Sequence, residues 1–205
     1  MKDHSEKNDS YIQYNKEVWI PSLEEVERER KRIRRGKRFR STMRSTTYVL
    51  LATVAVVIII VSLFMPVMQV TGTSMEPTLE SGNVVVLWKT GKFETGDLCG
   101  FYYQNKVLIK RIIGTPGDWV NIDEDGYVSV NGKLLDEPYI SEHSLGENDL
   151  TFPYQVPDNK FFVLGDHRET AMDSRSEAIG CVERDQLVGR VLLRVWPLKE
   201  FDLLK

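Results

Sequence analysis

The stretch TGTSMEPTL, Thr71 to Leu79, sets Ser74 in a loop between a glycine and a proline. Its hydroxyl becomes a nucleophile only if another group takes the proton, and no histidine lies near it in the chain. A second stretch, KVLIKRIIGTPGD from Lys106 to Asp118, offers a base. Strand alternation puts Lys106, Leu108, Lys110 and Ile112 on one face and Val107, Ile109, Arg111 and Ile113 on the other, so either Lys110 or Arg111 lies among apolar side chains. A free lysine, with pKa near 10.4, is only about 0.04 % neutral at pH 7. To act as a base, Lys110 must titrate near about 7, and desolvation by neighbours such as Leu108 and Ile112 is the available cause. Standing alone, Lys110 reads more readily as a lysine on a strand edge with its charge in water.

A third stretch, GDHRETAMDSR from Gly165 to Arg175, crowds Asp166, Arg168, Asp173 and Arg175 into one loop. That density of opposite charges suits a salt-bridged scaffold that holds neighbouring groups in place. It reads otherwise as a solvated loop. His167 within it opens a different chemistry, a Ser-His-Asp triad with Ser74 and a nearby aspartate.

The elements that must position these groups follow from pattern. From Asn83 onward, short runs rich in β-branched and aromatic residues (NVVVLW, DLCGFYY, KVLIKRIIG, WVNI, YVSV, KFFVLG, LVGRVLLRVW) alternate with Gly, Pro, Asn and Asp, the texture of strands. Asn131-Gly132 marks a hairpin between Tyr127–Val130 and Lys133–Leu135. The expected fold is mostly β and antiparallel, with a loop-rich insertion from Pro138 to Pro157.

Thr47 to Met68 carries no charge, and a run of about 22 residues crosses a hydrocarbon core roughly 30 Å thick. It is longer and deeper in the chain than the apolar part of a cleaved secretory signal, so an uncleaved anchor is expected. Residues 1–70 carry 13 basic and 8 acidic side chains against 14 and 22 in residues 71–205, and ten of the basic ones lie between Arg28 and Arg44. The positive-inside rule then puts the N-terminus in the cytoplasm. The same basic run is better explained by topology and anionic lipid than by nucleic acid, which is not expected as a partner. Pro21, Ser22 and Glu25 have capping-box spacing and begin a short charged helix with Glu24–Arg28 and Glu27–Lys31 pairs; residues 1–20 are polar and expected to be disordered. The domain plan is a cytoplasmic segment over 1–46, an anchor over 47–68 and an extracytoplasmic domain over 69–205. Cys99 and Cys181 would lie where a disulfide is chemically permitted, but separate buried thiols are the expectation.

Taken in order behind an anchor, Thr71–Leu79, Lys110–Asp118 and Gly165–Arg175 resemble the serine, lysine and GD-x-R-x4-D-S-R boxes of bacterial type I signal peptidases. The resemblance covers about Thr47 to Pro197. It implies Ser74 as nucleophile and oxyanion donor through its backbone N–H, Lys110 as general base, and Asp166, Arg168, Asp173 and Arg175 as supporting residues. It also implies an antiparallel β-rich catalytic domain, related to the LexA-type Ser-Lys proteases, behind one transmembrane helix. Signal peptides of secreted preproteins, the lipid bilayer and proximity to the general secretion translocon are the implied partners, and no cofactor or metal is implied. The chain departs from the pattern at three positions. His167 stands where Asn is common. Gly72 stands where Gram-negative members often have Ser and Gram-positive ones Gly. Ala171 replaces a frequent Ser whose hydroxyl contacts the lysine. A catalytically inactive domain that binds exported chains, and a LexA-like protease that cuts itself at Val70-Thr71-Gly72, remain open readings.

Overall fold

The computed structural model describes residues 21–204, so the expected disorder over residues 1–20 lies outside the described residues. The chain divides into two units, Met1–Ala55 and Val56–Lys205.

Helix α1 spans Leu23–Phe64. Ser22 and Glu25 form the expected reciprocal cap: the Ser22 N–H donates to Glu25 Oε2 at 2.9 Å, and the Glu25 N–H donates to Ser22 Oγ at 3.3 Å. Glu24 and Arg28 pair at 3.6 Å, and Arg32 takes Glu29 at 3.3 Å; both pairs are exposed and contribute little. The expected short charged helix and the apolar span are in fact one helix. Nothing between Leu23 and Phe64 interrupts it, since the run has no proline and only Gly36 as a glycine. It stops four residues before the expected end of the apolar run, because Pro66 lacks an N–H and disfavours helical backbone at Met65. Val67–Gln69 then form strand β1. Among the described residues, α1 is the one helix long and apolar enough to cross a membrane; Thr47–Phe64 alone span about 27 Å at 1.5 Å per residue.

Beyond the end of α1 the second unit is built on β-strands whose pairings are all antiparallel, as its alternating runs predict. After β1 come β2 (Val84–Trp88), β3 (Leu98–Tyr103), β4 (Lys106–Gly114), β5 (Trp119–Ile122), β6 (Val128–Val130), β7 (Lys133–Leu134), β8 (Tyr154–Gln155), β9 (Lys160–Leu164), β10 (Val182–Glu183), β11 (Leu187–Trp196) and β12 (Asp202–Leu203). The larger sheet runs β1-β2-β11-β3-β4-β9-β10, with β12 beside β11, and the smaller runs β7-β6-β5-β8. The β6–β7 hairpin pairs Val130 with Lys133 across Asn131 and Gly132, both at positive φ (53° and 77°), which is why Asn-Gly occupies that turn. One core cluster packs Val70, Met75 and Leu79 against Val85, Leu87, Leu98 and Val191. Another joins the smaller sheet to Ile113, Phe162 and Leu164 of β4 and β9.

The alternation argument placed only one of Lys110 and Arg111 among apolar groups, yet both are buried, each 2 % exposed. From Lys110 to Gly114 the whole of β4 is buried, because β9 pairs with it from Arg111 onward and the loop after β9 folds over the junction. Cys99, opposite Lys110 in β3, and Cys181 are separate free thiols, as expected, but only Cys99 is buried and Cys181 is half-buried.

Candidate active site

Ser74 sits in a tight turn that the core holds on both sides. Val70, Met75 and Leu79 are buried, while the Glu76 N–H donates to Thr73 O at 3.0 Å and the Leu79 N–H to Met75 O at 2.8 Å. Ser74 itself is half-buried. Gly72 enters this turn at φ 91°, in the left-handed region where a side chain is strained, and this accounts for glycine there.

Lys110 occupies the point of β4 just before β9 begins to pair. Strand β9 ends at Leu164, and Gly165 leaves it directly over the lysine. A Cβ placed on Gly165 would overlap Ala171 Cβ and lie 2.6 Å from Ser74 O and 3.2 Å from Lys110 Nζ. The serine turn, the lysine amine and the charged loop therefore meet at one glycine that has no room for a side chain. The turn and the loop are tied further: the His167 N–H donates to Ser74 O at 3.2 Å, and Thr78 Oγ1 donates to Asp166 Oδ2 at 2.5 Å.

Asp166, Arg168, Asp173 and Arg175 are all buried, while Glu169, the fifth charge of the loop, is exposed. Asp166 accepts from Arg111 Nε at 2.9 Å and Nη2 at 2.6 Å. Asp173 holds Arg175 (Nε to Oδ1 2.9 Å, Nη2 to Oδ2 2.8 Å) and accepts from the Gly165 N–H at 3.0 Å. Arg175 also donates to Leu145 O at 2.6 Å and Arg168 O at 2.7 Å. Arg168 pairs with Glu137 and donates to Gly165 O at 3.1 Å. Arg111 and Glu137 were not among the site residues expected from the sequence. Arg111 had a signal, as a second cation in a strand about to be buried, but Glu137 had none, since its partner is set only by the return of the insertion to the loop.

Burial brings the Lys110 amine down from the ordinary 10.5 to about 8. Asp173 pulls the other way, Arg175 adds to the lowering, and Asp166 opposes it. Desolvation prevails because both carboxylates are engaged by arginines. His167 is placed differently from a triad histidine: its Nδ1 meets Thr170 Oγ1 at 2.6 Å where a triad needs a carboxylate. Ser174 is turned the other way, its Oγ accepting from the Val163 N–H at 2.9 Å.

A cleft of about 410 Å³ runs along Ser74, walled by Met68–Gly72 on one side and Lys106–Ile109 on the other. Since β9 pairs β4 only from Arg111, the edge of β4 from Lys106 to Lys110 facing away from β3 has no strand partner among the described residues. It can accept an extended peptide as an added strand. Among those residues, no group of acidic, His or Cys side chains is arranged to hold a metal ion.

A family model described as signal peptidase, peptidase S26, matches residues 42–196. Signal peptidase IB of Staphylococcus aureus is 40 % identical over 151 residues, which are 63 % of this chain and 77 % of that protein. Signal peptidase I of Bacillus licheniformis is 34 % identical over 165 residues, 74 % of this chain and 87 % of that protein. A crystal structure of a signal peptidase I from Enterococcus faecalis is 28 % identical, with 48 % of this chain and 96 % of that one covered at a TM-score of 0.40.

Proposed function

The chain belongs to the S26 signal peptidase family and is a serine endopeptidase that removes signal peptides from exported preproteins, and on that premise we propose that Ser74 is its nucleophile and Lys110 its general base. The observation that carries the assignment is a buried, desolvated amine meeting the serine turn across Gly165. At a pKa of about 8, about one lysine in ten is neutral at pH 7, roughly 200-fold more than for a free side chain. Neutral Lys110 takes the Ser74 proton as Oγ attacks the scissile carbonyl. The Ser74 backbone N–H donates to the oxyanion. Protonated Lys110 then gives its proton to the leaving amine, and the amine, neutral again, activates the water that hydrolyses the acyl-enzyme.

The substrate is taken as an extended strand between Met68–Gly72 and Lys106–Ile109, with alternate side chains entering the cleft. Anchorage by α1 with the N-terminus in the cytoplasm, supported by the basic run before the apolar one, puts Ser74 beside the outer lipid surface, where a preprotein tethered by its signal helix emerges from the translocon. The domain plan follows: residues 1–46 inside, the anchor next, the peptidase domain outside.

The test is incubation of the purified full chain with a model preprotein. Cleavage by the wild type and its loss in Ser74→Ala and Lys110→Ala supports the assignment. No cleavage of anything identifies an inactive binding domain, cleavage of the enzyme alone a self-processing protease, and activity in Lys110→Ala with loss in His167→Ala a triad.

A further inference from the structure

Two buried guanidiniums grip the loop that covers Lys110, and one short segment joins them. Arg111 reaches from β4 and holds Asp166 through two nitrogens, at 2.9 and 2.6 Å. Arg168 reaches from the loop itself and donates through Nε to Gly165 O at 3.1 Å. Gly165 and Asp166 are consecutive, so the two arginines together locate the glycine whose missing side chain leaves room for both Ser74 O and Lys110 Nζ.

The joining segment follows β7. The Glu137 side chain, fully buried, takes Arg168 through both terminal nitrogens. Tyr139 Oη donates to Glu137 Oε1 at 2.8 Å, and its ring lies under Arg111, with Cζ 3.7 Å from the ring centroid. Burial, with the charge of Glu137 adding to it, pushes the Tyr139 phenol far above its ordinary range, so the hydroxyl stays a donor. A buried ion pair is weak evidence of stabilisation, because desolvation offsets its attraction. What this one provides is direction, with a bidentate carboxylate and a flat ring fixing the planes of two guanidiniums.

We propose that Glu137 and Tyr139 form a clasp that positions Gly165, and through it the Ser74 and Lys110 pair, for the peptidase reaction. The proposal rests on the assignment of that pair above. Neither residue lines the cleft at Met68–Gly72 and Lys106–Ile109. Loosening the clasp therefore misplaces the reacting groups and leaves peptide binding alone.

The test measures kcat and KM for the full chain in detergent, with a peptide spanning a signal-peptide cleavage site, well below each variant's Tm. Glu137→Gln is expected to lower kcat about 10- to 100-fold, as displacement of reacting groups does, with KM within about twofold of wild type. Tyr139→Phe, which keeps the ring under Arg111, is expected to lose about three- to tenfold, the value of one hydrogen bond, and Tyr139→Leu more. The double variant Glu137→Gln/Tyr139→Phe should be no worse than Glu137→Gln alone, because the two act as one unit. Unchanged kcat in Glu137→Gln and Tyr139→Phe, or losses appearing wholly in KM, overturns the clasp. If Glu137→Gln does not fold, Tyr139→Phe decides by the same criteria. Ser74→Ala runs alongside: retained activity there sinks the assignment of the pair, whereas a dead Ser74→Ala beside fully active clasp variants sinks the clasp alone.

Discussion

Lys110 and Arg111 are consecutive in β4 and equally buried, yet Arg111 receives a bidentate carboxylate from Asp166 and Lys110 does not. The difference follows from chemistry. A guanidinium stays charged when buried and requires a partner, while an amine can give up its proton. Asp166 is thereby drawn toward the arginine, and burial is left to dominate the titration of the lysine.

The pH profile is the first consequence. Only neutral Lys110 is competent, so kcat/KM should rise with pH and bend near pH 8, where the free enzyme's base titrates. Lys110→Arg should be inactive at every pH, since guanidinium does not deprotonate. Activity kept in Lys110→Ala and lost in His167→Ala would assign the base to histidine instead.

Stability should move opposite to activity in Lys110→Met. The lysine pKa falls on folding from 10.5 to about 8, so between these values the unfolded chain holds a proton that the folded one lacks, and stability rises with pH. Below pH 8 the folded protein bears the whole cost, about 3 kcal/mol. The buried Cys99 thiol and Tyr139 phenol are raised instead, and they erode stability as pH climbs past 9. The clean window is thus pH 8 to 9. Denaturant titrations should show Lys110→Met more stable than wild type at pH 7, with the gap narrowing across that window; a constant gap would show that Lys110 is not desolvated.

Gly165→Ala tests how closely the three elements meet. Its methyl would overlap Ala171 Cβ and come within 2.6 Å of Ser74 O, a backbone atom that cannot swing aside. A loss of about 1 to 3 kcal/mol and of at least about 100-fold in kcat is expected. Ala171→Gly in the same chain removes one overlap and not the other, so it should restore little. Full recovery would mean that the serine turn yields easily.

Asp173→Asn should be costlier still. Its carboxylate accepts from the Arg175 guanidinium twice and from the Gly165 N–H, and an asparagine leaves the buried guanidinium uncompensated, at about 3 to 5 kcal/mol. Thermal unfolding and activity should fall together, and an unchanged Tm would place this pair in solvent.

What could be read from the chain before folding was whatever short range decides. The strands follow from alternation, the β6–β7 turn from Asn131-Gly132, and the helix start from Ser22 and Glu25. Ser74, Lys110, Asp166, Arg168, Asp173 and Arg175 were picked out by residue type and spacing, and they meet around Gly165. Three features were hidden. Strand alternation assumes one buried face and one open, so it missed the burial of Lys110 and Arg111 together beneath β9 and the loop. The continuity of α1 depends on the absence of a breaker between a charged run and an apolar one that otherwise look like separate elements. Glu137 lies 31 residues from Arg168, and only the return of the insertion brings them into contact.

Ala171 carries the last prediction. The resemblance to the signal-peptidase boxes implies a serine hydroxyl on the lysine at this position, and the two hydroxyls that bracket it are engaged elsewhere, Thr170 with His167 and Ser174 with the Val163 N–H. Ala171 Cβ packs on Gly165, beside Lys110 Nζ, so a hydroxyl added at this carbon has the amine within its surroundings. One neutral hydrogen bond contributes about 0.5 to 1.5 kcal/mol, at most roughly tenfold in rate. Ala171→Ser should therefore stay folded and raise kcat/KM modestly. It should also displace the acid limb from pH 8, downward if the hydroxyl donates to the neutral amine and upward if it accepts from the cation. Profiles of kcat/KM against pH for the two proteins decide the matter, and superimposable curves would show that position 171 shapes the packing over Gly165 without touching the base.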